Sequence, residues 1–391
     1  MQFDFDDPID RRNTHCAKWD ALENLYGVSP DDGLAMWVAD MDFRAPPCVN
    51  KALAEAVEHG VHGYFSDESD YKQAIISWMQ RRHGWQVEPE WISTAHGLVS
   101  GVGLCLQAFT DPGDHVILFT PVYHAFAKIT KANKRVIHEA PLALADGRYE
   151  MDLDALAASL TPKDKVVILC SPHNPGGRVW EPSELRALAD FCVKHDLLLI
   201  SDEIHHDLLM PGNKHTVMQN AAPDIEDRLV MLTAASKTFN LAGGMTGNVI
   251  IPDPKLRAKF TTVLLATGAS PNRFGIAMTT AAYDEGEAWL DALLTYLDEN
   301  RKIFDEGMNA IPGVHSMPMQ STYLSWVDFS GTGMALKDVI ERVQGKAKVV
   351  GNHGPTFGTG GETYLRFNIA TRRSLVEEAV KRLKSAFSDL Q

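Results

Sequence analysis

Short apolar runs alternate with amphipathic helical patterns from about residue 90 to residue 270 of this 391-residue chain. Runs at Val166–Cys170, Leu197–Ile200 and Leu229–Thr233 have the length and continuous apolar character of strands buried on both faces. A helical pattern that starts at Ser183 separates the first two runs. Strands that alternate with helices in this way predict an α/β fold, with a mostly parallel sheet sandwiched by helices.

The last third of the chain has a different pattern. A long polar helix is predicted over about 286–309, and Ser321–Asp328 alternates like a half-solvated strand. Ser374 and Glu377 have the spacing of a capping box, which predicts the start of a C-terminal helix. These elements predict a second, smaller α+β domain.

The length of the chain favours two domains over one hydrophobic core. The predicted large domain spans residues 46–285 and contains the alternating strands and helices. The predicted small domain combines residues 1–45 with residues 286–391, and its N-terminal segment is expected to cover the active site.

Composition narrows the classes of function. The formal net charge of −14 argues against a nucleic-acid partner, which requires a basic face. The acidic N-terminus is unlike a signal peptide, and no apolar stretch approaches the roughly 20 residues of a membrane span. Five scattered cysteines predict free thiols in a reducing cytoplasm, and neither they nor the fifteen histidines have the spacing of a metal site.

Polar side chains follow three of the apolar runs. Asn174, Asp202 and Lys237 each come shortly after a predicted strand, in the order amide, carboxylate and amine. Because ligands of open α/β sheets bind at the carboxyl ends of the strands, these side chains are expected to converge. Taken alone, Asn174 would commonly belong to a turn, Asp202 would cap a helix and Lys237 would be solvated. Together, the three side chains are what a pyridoxal 5'-phosphate site needs.

Each of the three residues has a part in that chemistry. Lys237 is the expected Schiff-base lysine and the base for the substrate Cα proton. Asp202 is expected to keep the ring nitrogen protonated, since a nearby carboxylate favours the cationic form. The Asn174 amide can donate to the ring phenolate oxygen.

Longer motifs extend this pattern over nearly the whole chain. These motifs are the segments Asp10–Arg12 with Thr14, Lys18–Asp20, Met36–Phe43, His173–Trp180, Asp202–His205 and Ser236–Asn240. Through them the chain resembles the fold-type I pyridoxal phosphate enzymes of the class I/II aminotransferase superfamily, and most of all their MalY/PatB-like cystathionine β-lyase branch. The resemblance implies that the predicted large domain, residues 46–285, binds the cofactor.

The resemblance implies roles for further residues. Tyr123 matches the aromatic that stacks on the cofactor ring, unless it is only a core aromatic. Tyr64 matches a tyrosine that reaches the phosphate of the neighbouring subunit, which implies a homodimer with shared active sites. Arg366 matches the clamp for the substrate α-carboxylate, unless it is a surface ion pair. The implied cofactor-binding set is completed by Gly97, Leu98, Val99, Ser236 and His205, the substrate-binding set by Ala39 and Asn174, and Lys237, Tyr64 and Tyr123 are the implied catalytic residues.

Two positions and one short segment depart from the pattern. Met245 stands where many aminotransferases place a phosphate-binding arginine, and Ala234 replaces a serine. The phosphate is therefore expected to be held by Ser236, the turn at Gly97 and Tyr64. Residues 369–372 also differ from the usual sequence of the branch.

The resemblance implies a carbon–sulfur β-lyase that acts on cystathionine or related cysteine S-conjugates. An aminotransferase is the alternative, because both reactions begin with loss of the Cα proton and use the same residues. The segment Met36–Phe43 and His205 favour the lyase. An added regulator-binding role, known in this branch, is a further alternative.

Overall fold

The computed structural model of the protein describes residues 3–390, so residues 1, 2 and 391 of the predicted small domain lie outside the description. The strands are β1 Leu34–Ala35, β2 Ile92–Ala95, β3 His115–Leu118, β4 Val136–Glu139, β5 Ala143–Ala145, β6 Arg148–Glu150, β7 Asp164–Cys170, β8 Leu198–Asp202, β9 Leu229–Thr233, β10 Gly247–Ile250, β11 His315–Ser316, β12 Leu324–Asp328, β13 Val349–Val350, β14 Asn352–His353 and β15 Tyr364–Asn368.

The α-helices of this part of the chain are α1 Ala17–Asp20, α2 Leu22–Tyr26, α3 Pro47–His59, α4 Ser69–His83, α5 Leu98–Phe109, α6 His124–Ala132, α7 Leu153–Ser159, α8 Pro182–Lys194, α9 Met218–Ala221, α10 Ala235–Thr238, α11 Pro254–Ala266, α12 Arg273–Glu285, α13 Glu287–Asn309, α14 Leu336–Ile340 and α15 Arg373–Ala386. None of them combines the length with the apolar character that a membrane crossing requires.

The central sheet has seven strands in the order β2-β10-β9-β8-β7-β3-β4. All neighbours from β9 to β4 are parallel, and β10 runs antiparallel to β9 and β2. Almost every residue of β7, β8 and β9 is buried, because helices cover both faces of the sheet. The predicted mostly parallel, helix-sandwiched sheet is therefore confirmed.

The helix predicted after β7 is α8. Pro182 occupies its first turn, where a missing N–H costs nothing, and Glu181 and Glu184 form a reciprocal capping box. The helix crosses back over the sheet and places β8 beside β7. As a result, the ends of β7, β8 and β9 lie side by side at one edge of the sheet.

The C-terminal third forms a four-stranded antiparallel sheet in the order β11-β12-β15-β14. The predicted long helix is confirmed as α13, which packs against β11 and β12 of this sheet and against α15. The division of the chain at residues 45 and 285 stays a prediction, since the largest hydrophobic cluster includes side chains from both proposed domains.

Two local predictions in this region are wrong. Strand β12 is buried along Leu324–Val327 and not half-solvated, because aromatic side chains from outside the sheet cover Trp326: the Phe357 ring lies 5.2 Å from its ring, and the Tyr149 hydroxyl accepts from its Nε1 at 3.0 Å. Helix α15 starts at Arg373 without the predicted capping box, and the Arg373 backbone N–H donates to the hydroxyl oxygen of Tyr296 at 2.6 Å. A distant side chain thus replaces the local cap.

Candidate active site

A cavity of about 240 Å³ lies at the carboxyl ends of β7, β8 and β9. Ten predicted site residues line it: Ala39, Gly97, Leu98, Val99, Tyr123, Asn174, Asp202, His205, Ser236 and Lys237. Its other lining residues, which the sequence did not single out for a contact with the cofactor, are His96, Phe126, Cys170, Ile204, Ala242, Met245 and Thr246. The convergence predicted from the strand order is therefore observed, while the role of each residue stays a prediction.

Lys237 lies in the short helix α10 that follows β9. Its Nζ donates to the backbone carbonyl oxygen of Ala39 at 2.6 Å. The pKa of Lys237 is lowered to about 8, mainly by burial. The charge of Asp40 raises this pKa and that of Arg366 lowers it further. A large fraction of this amine is consequently neutral near pH 8, as a nucleophile and a base require.

Asp202 ends β8 and is buried. One carboxylate oxygen accepts a hydrogen bond from the Ile204 backbone N–H at 3.1 Å. Burial raises the pKa of Asp202 to about 7, and neighbouring Glu203 raises it further. A cationic partner stabilises the ionised form of a buried carboxyl group, and a protonated pyridine nitrogen is such a partner.

Asn174 and Arg366 interact directly. An Arg366 Nη donates to Asn174 Oδ1 at 2.9 Å, so the Asn174 NH₂ group can donate to something else. The other Nη donates to the Trp37 carbonyl at 3.0 Å and to Asn352 Oδ1. Arg366 is 2% exposed, which excludes the surface ion pair, and its Nε is a buried donor without a partner among the described residues.

His205 is buried beside Lys237 and Arg366. Burial and these two charges keep the pKa of its ring well below the usual value, so the imidazole is neutral. Its Nδ1 has no hydrogen-bond partner within residues 3–390. An unpaired buried donor or acceptor facing a cavity is expected to be satisfied by a bound molecule.

The predicted phosphate end of the site consists mainly of backbone groups. Gly97 has φ +81°, which favours glycine, and it precedes α5, whose first N–H groups belong to Leu98 and Val99. Such a helix start attracts an anion. Met245 lines the same cavity and is half exposed, so the arginine missing from this position is not replaced there by another cation.

Two predicted residues do not line the cavity: Arg366, which is joined to it by its hydrogen bond to Asn174, and Tyr64. The Tyr64 side chain is fully exposed in the single chain, in the segment between α3 and α4. Within one subunit it contacts none of the cavity-lining residues named above. A role for Tyr64 therefore requires a second chain.

A buried polar network, missed in the sequence, lies behind the lysine. Asp207 accepts hydrogen bonds from Trp78 Nε1 at 3.1 Å, His83 Nε2 at 2.8 Å and Thr238 Oγ1 at 2.7 Å. Burial alone would raise the pKa of Asp207, but the histidines His206 and His83 hold it well below its usual value. The network fixes Thr238, the residue after Lys237. The side chains of His83, His206 and Asp207 also lie close enough to one another to hold a metal ion.

The cavity fits pyridoxal phosphate on its own features: an amine with a lowered pKa, a buried carboxyl suited to a ring cation, an unpaired ring nitrogen of His205 and a helix start for a phosphate. The fold and this site thus define an α/β enzyme of the pyridoxal phosphate class.

The chain belongs to the family described as aminotransferase class I and II, whose model matches residues 33–383. It is 40% identical to cystathionine beta-lyase PatB of Bacillus subtilis over 98% of this chain and 100% of the relative. It is 32% identical to protein MalY of Escherichia coli, over 98% of each chain. A crystal structure of cystalysin from Treponema denticola, which contains a pyridoxal 5'-phosphate cofactor, superposes with a TM-score of 0.95 at 37% identity and full coverage of both chains. The predicted MalY/PatB-like branch is confirmed.

Proposed function

We propose that this protein is a pyridoxal phosphate-dependent carbon–sulfur β-lyase that cleaves cystathionine or related cysteine S-conjugates to pyruvate, ammonia and a thiol. The full-length likeness to a cystathionine beta-lyase carries the reaction type. The buried amine of Lys237, opposite Asp202 in one cavity, supports the cofactor.

When bound, the cofactor withdraws electrons from the substrate Cα. Lys237 would hold the cofactor through Nζ in the resting enzyme and, once free, would take the Cα proton on Nζ. Asp202 would keep the ring nitrogen protonated, and the Asn174 NH₂ would donate to the ring oxygen. The Nε of Arg366, already buried and unpaired, is the donor left for the substrate α-carboxylate.

The bond changes follow from these positions. The Cα–H bond breaks and its proton moves to Lys237. The released electron pair forms a Cα–Cβ double bond as the Cβ–S bond breaks, and sulfur leaves as a thiolate. Hydrolysis of the resulting enamine product yields pyruvate and ammonia.

We expect purified enzyme with pyridoxal phosphate to turn over L-cystathionine without any keto acid. Pyruvate and free thiol should accumulate in equal amounts over many turnovers, because the amino group is lost and not stored on the cofactor. Pyruvate is followed with lactate dehydrogenase and thiol with a disulfide reagent. Turnover only after a keto acid is added would contradict the lyase and support the aminotransferase.

The active enzyme is proposed to be a cytoplasmic homodimer with shared sites. Several apolar side chains are exposed on the single chain, and one of them, Met245, also lines the cavity. Four of the others are Val57, Val61, Tyr64 and Leu265. A second subunit packed against these side chains would cover them and would bring its own Tyr64 to the phosphate. The five cysteines, all unpaired, fit a reducing compartment.

A mixed dimer tests the sharing of sites. We expect Tyr64→Ala and Lys237→Ala homodimers to be impaired, and a dimer of one chain of each to recover about half of wild-type activity, because one of its two sites is intact. Differently tagged chains are co-expressed and the mixed species purified. A mixed dimer as inactive as its parents, or a fully active Tyr64→Ala homodimer, would remove Tyr64 from the partner's site.

A further inference from the structure

The segment Met36–Phe43, here called the strap, has no regular secondary structure but is fixed to the body of the protein through its backbone. Every backbone carbonyl from Met36 to Met41 accepts a hydrogen bond. The donors include one backbone group, the Asn368 N–H, and five side chains, those of Lys237, Asn240, Tyr323, Arg366 and Asn368. The strap is thus a rigid wall of the cavity and not a loose loop.

The Ala39 carbonyl is the point at which the strap meets the lysine. It accepts from Lys237 Nζ at 2.6 Å and from the Tyr323 hydroxyl at 3.0 Å. The carbonyls on either side of it, those of Val38 and Asp40, are both held by the Asn368 side-chain NH₂ group, at 2.6 and 2.5 Å. The position of the Ala39 carbonyl is therefore fixed by the hydrogen bonds to the carbonyls on either side of it and by the Tyr323 hydroxyl.

Tyr323 is suited to that task. It is 1% exposed and immediately precedes β12, so its ring cannot swing away without disturbing the core. Burial raises the pKa of its phenol, so the hydroxyl remains a proton donor throughout the working range.

The direction of one lysine N–H decides where its lone pair points. A neutral amine has two N–H donors and one lone pair, so donation to the Ala39 carbonyl confines the lone pair to directions away from the strap. A lysine that removes the Cα proton must present this lone pair to the substrate. Under the proposed function, Lys237 acts as the base once its amine is free.

We propose that Tyr323 is a positioning residue for proton transfer: its hydroxyl holds the Ala39 carbonyl, and this carbonyl aims the freed amine of Lys237 at the substrate Cα. The inference rests on the proposed role of Lys237 but not on the fate of the Cβ–S bond.

The test uses Tyr323→Phe holoenzyme, which loses only the hydroxyl. We expect exchange of the Cα proton of L-alanine in D₂O, followed by proton NMR, to slow about fivefold, the usual effect of one neutral hydrogen bond. The kcat for L-cystathionine should fall by a similar factor or less while KM stays within about twofold, because the contacts of Arg366 are unchanged. A Cα-deuterated substrate should show a larger isotope effect on kcat than in wild type.

Tyr149→Phe is the matched control, because Tyr149 is also a buried tyrosine, its hydroxyl accepts a hydrogen bond from Trp326 Nε1 at 3.0 Å, and it does not line the cavity. It should lower the melting temperature and leave exchange and isotope effect unchanged. A Tyr323→Phe enzyme that exchanges the Cα proton at the wild-type rate would overturn the inference. A loss of rate that comes from lost cofactor or from a raised KM, with an unchanged isotope effect, would also overturn it.

The two proposals fail differently. A wild-type enzyme that exchanges the Cα proton of L-alanine but releases no thiol from cystathionine would refute the lyase and leave the role of Tyr323 standing. A wild-type enzyme that performs neither reaction would refute Lys237 as the Cα base, and the inference with it.

Discussion

Lys237→Ala is expected to lose both the visible absorbance of the lysine–cofactor linkage and the lyase activity, the latter by at least about 1,000-fold. A positioned general base alone contributes about 10² to 10⁴ in rate, and this lysine is both base and covalent attachment point. Spectra of the purified protein with added pyridoxal phosphate and the pyruvate-coupled assay measure the two losses.

Lys255→Ala is the control, since Lys255 is exposed on the first turn of α11. It should keep the absorbance and the full rate. A Lys237→Ala protein that retains both properties would overturn the assignment of the site. A protein that keeps only the activity would place the base elsewhere.

Asp202→Asn is expected to lose about 100-fold in rate while the cofactor remains bound. The amide has the same shape but cannot stabilise a protonated ring nitrogen, and removal of one such electrostatic interaction costs about 10² to 10³ in kcat. The phosphate contacts are untouched, so absorbance should persist. Asp190→Asn, at an exposed residue of α8, should leave the rate unchanged. Loss of the cofactor together with the rate would show that Asp202 mainly holds the cofactor.

The same substitution has an opposite effect on the protein without cofactor. Burial raises the pKa of Asp202 from an ordinary value near 4 to about 7, so the ionised carboxylate opposes folding above pH 7. This cost declines as pH falls from about 7 and is gone below the pKa of the unfolded state. We therefore expect Asp202→Asn apoprotein to be more stable than wild-type apoprotein at pH 8, with the difference shrinking towards pH 4 in denaturant titrations.

The central sheet and the lysine site could be predicted because both depend on local signals. Apolar runs such as β7 and β9 are buried on both faces and are therefore continuous in sequence, and the polar residues that follow them must share one edge of a parallel sheet. Asn174, Asp202 and Lys237 followed from this rule, and the resemblance added Tyr123 and the turn at Gly97.

The remaining features depend on contacts between residues far apart in the chain. The position of Tyr323 over the Ala39 carbonyl joins residues 284 positions apart, and its only local signal was the alternating pattern at the start of β12. The Asp207 network is similar, since Trp78 reaches it from α4. The wrong capping box at Ser374 has the same cause, because the hydroxyl of Tyr296 takes over the role of a local cap.

The central claim is that one lysine, Lys237, holds the cofactor and then handles the substrate proton. The most direct measurement is borohydride reduction of the wild-type holoenzyme, followed by digestion and mass spectrometry of the peptides. We predict that the phosphopyridoxyl group is found on the peptide containing Lys237 and nowhere else. Its presence on another lysine, or its absence from every peptide of a fully active preparation, would contradict the claim.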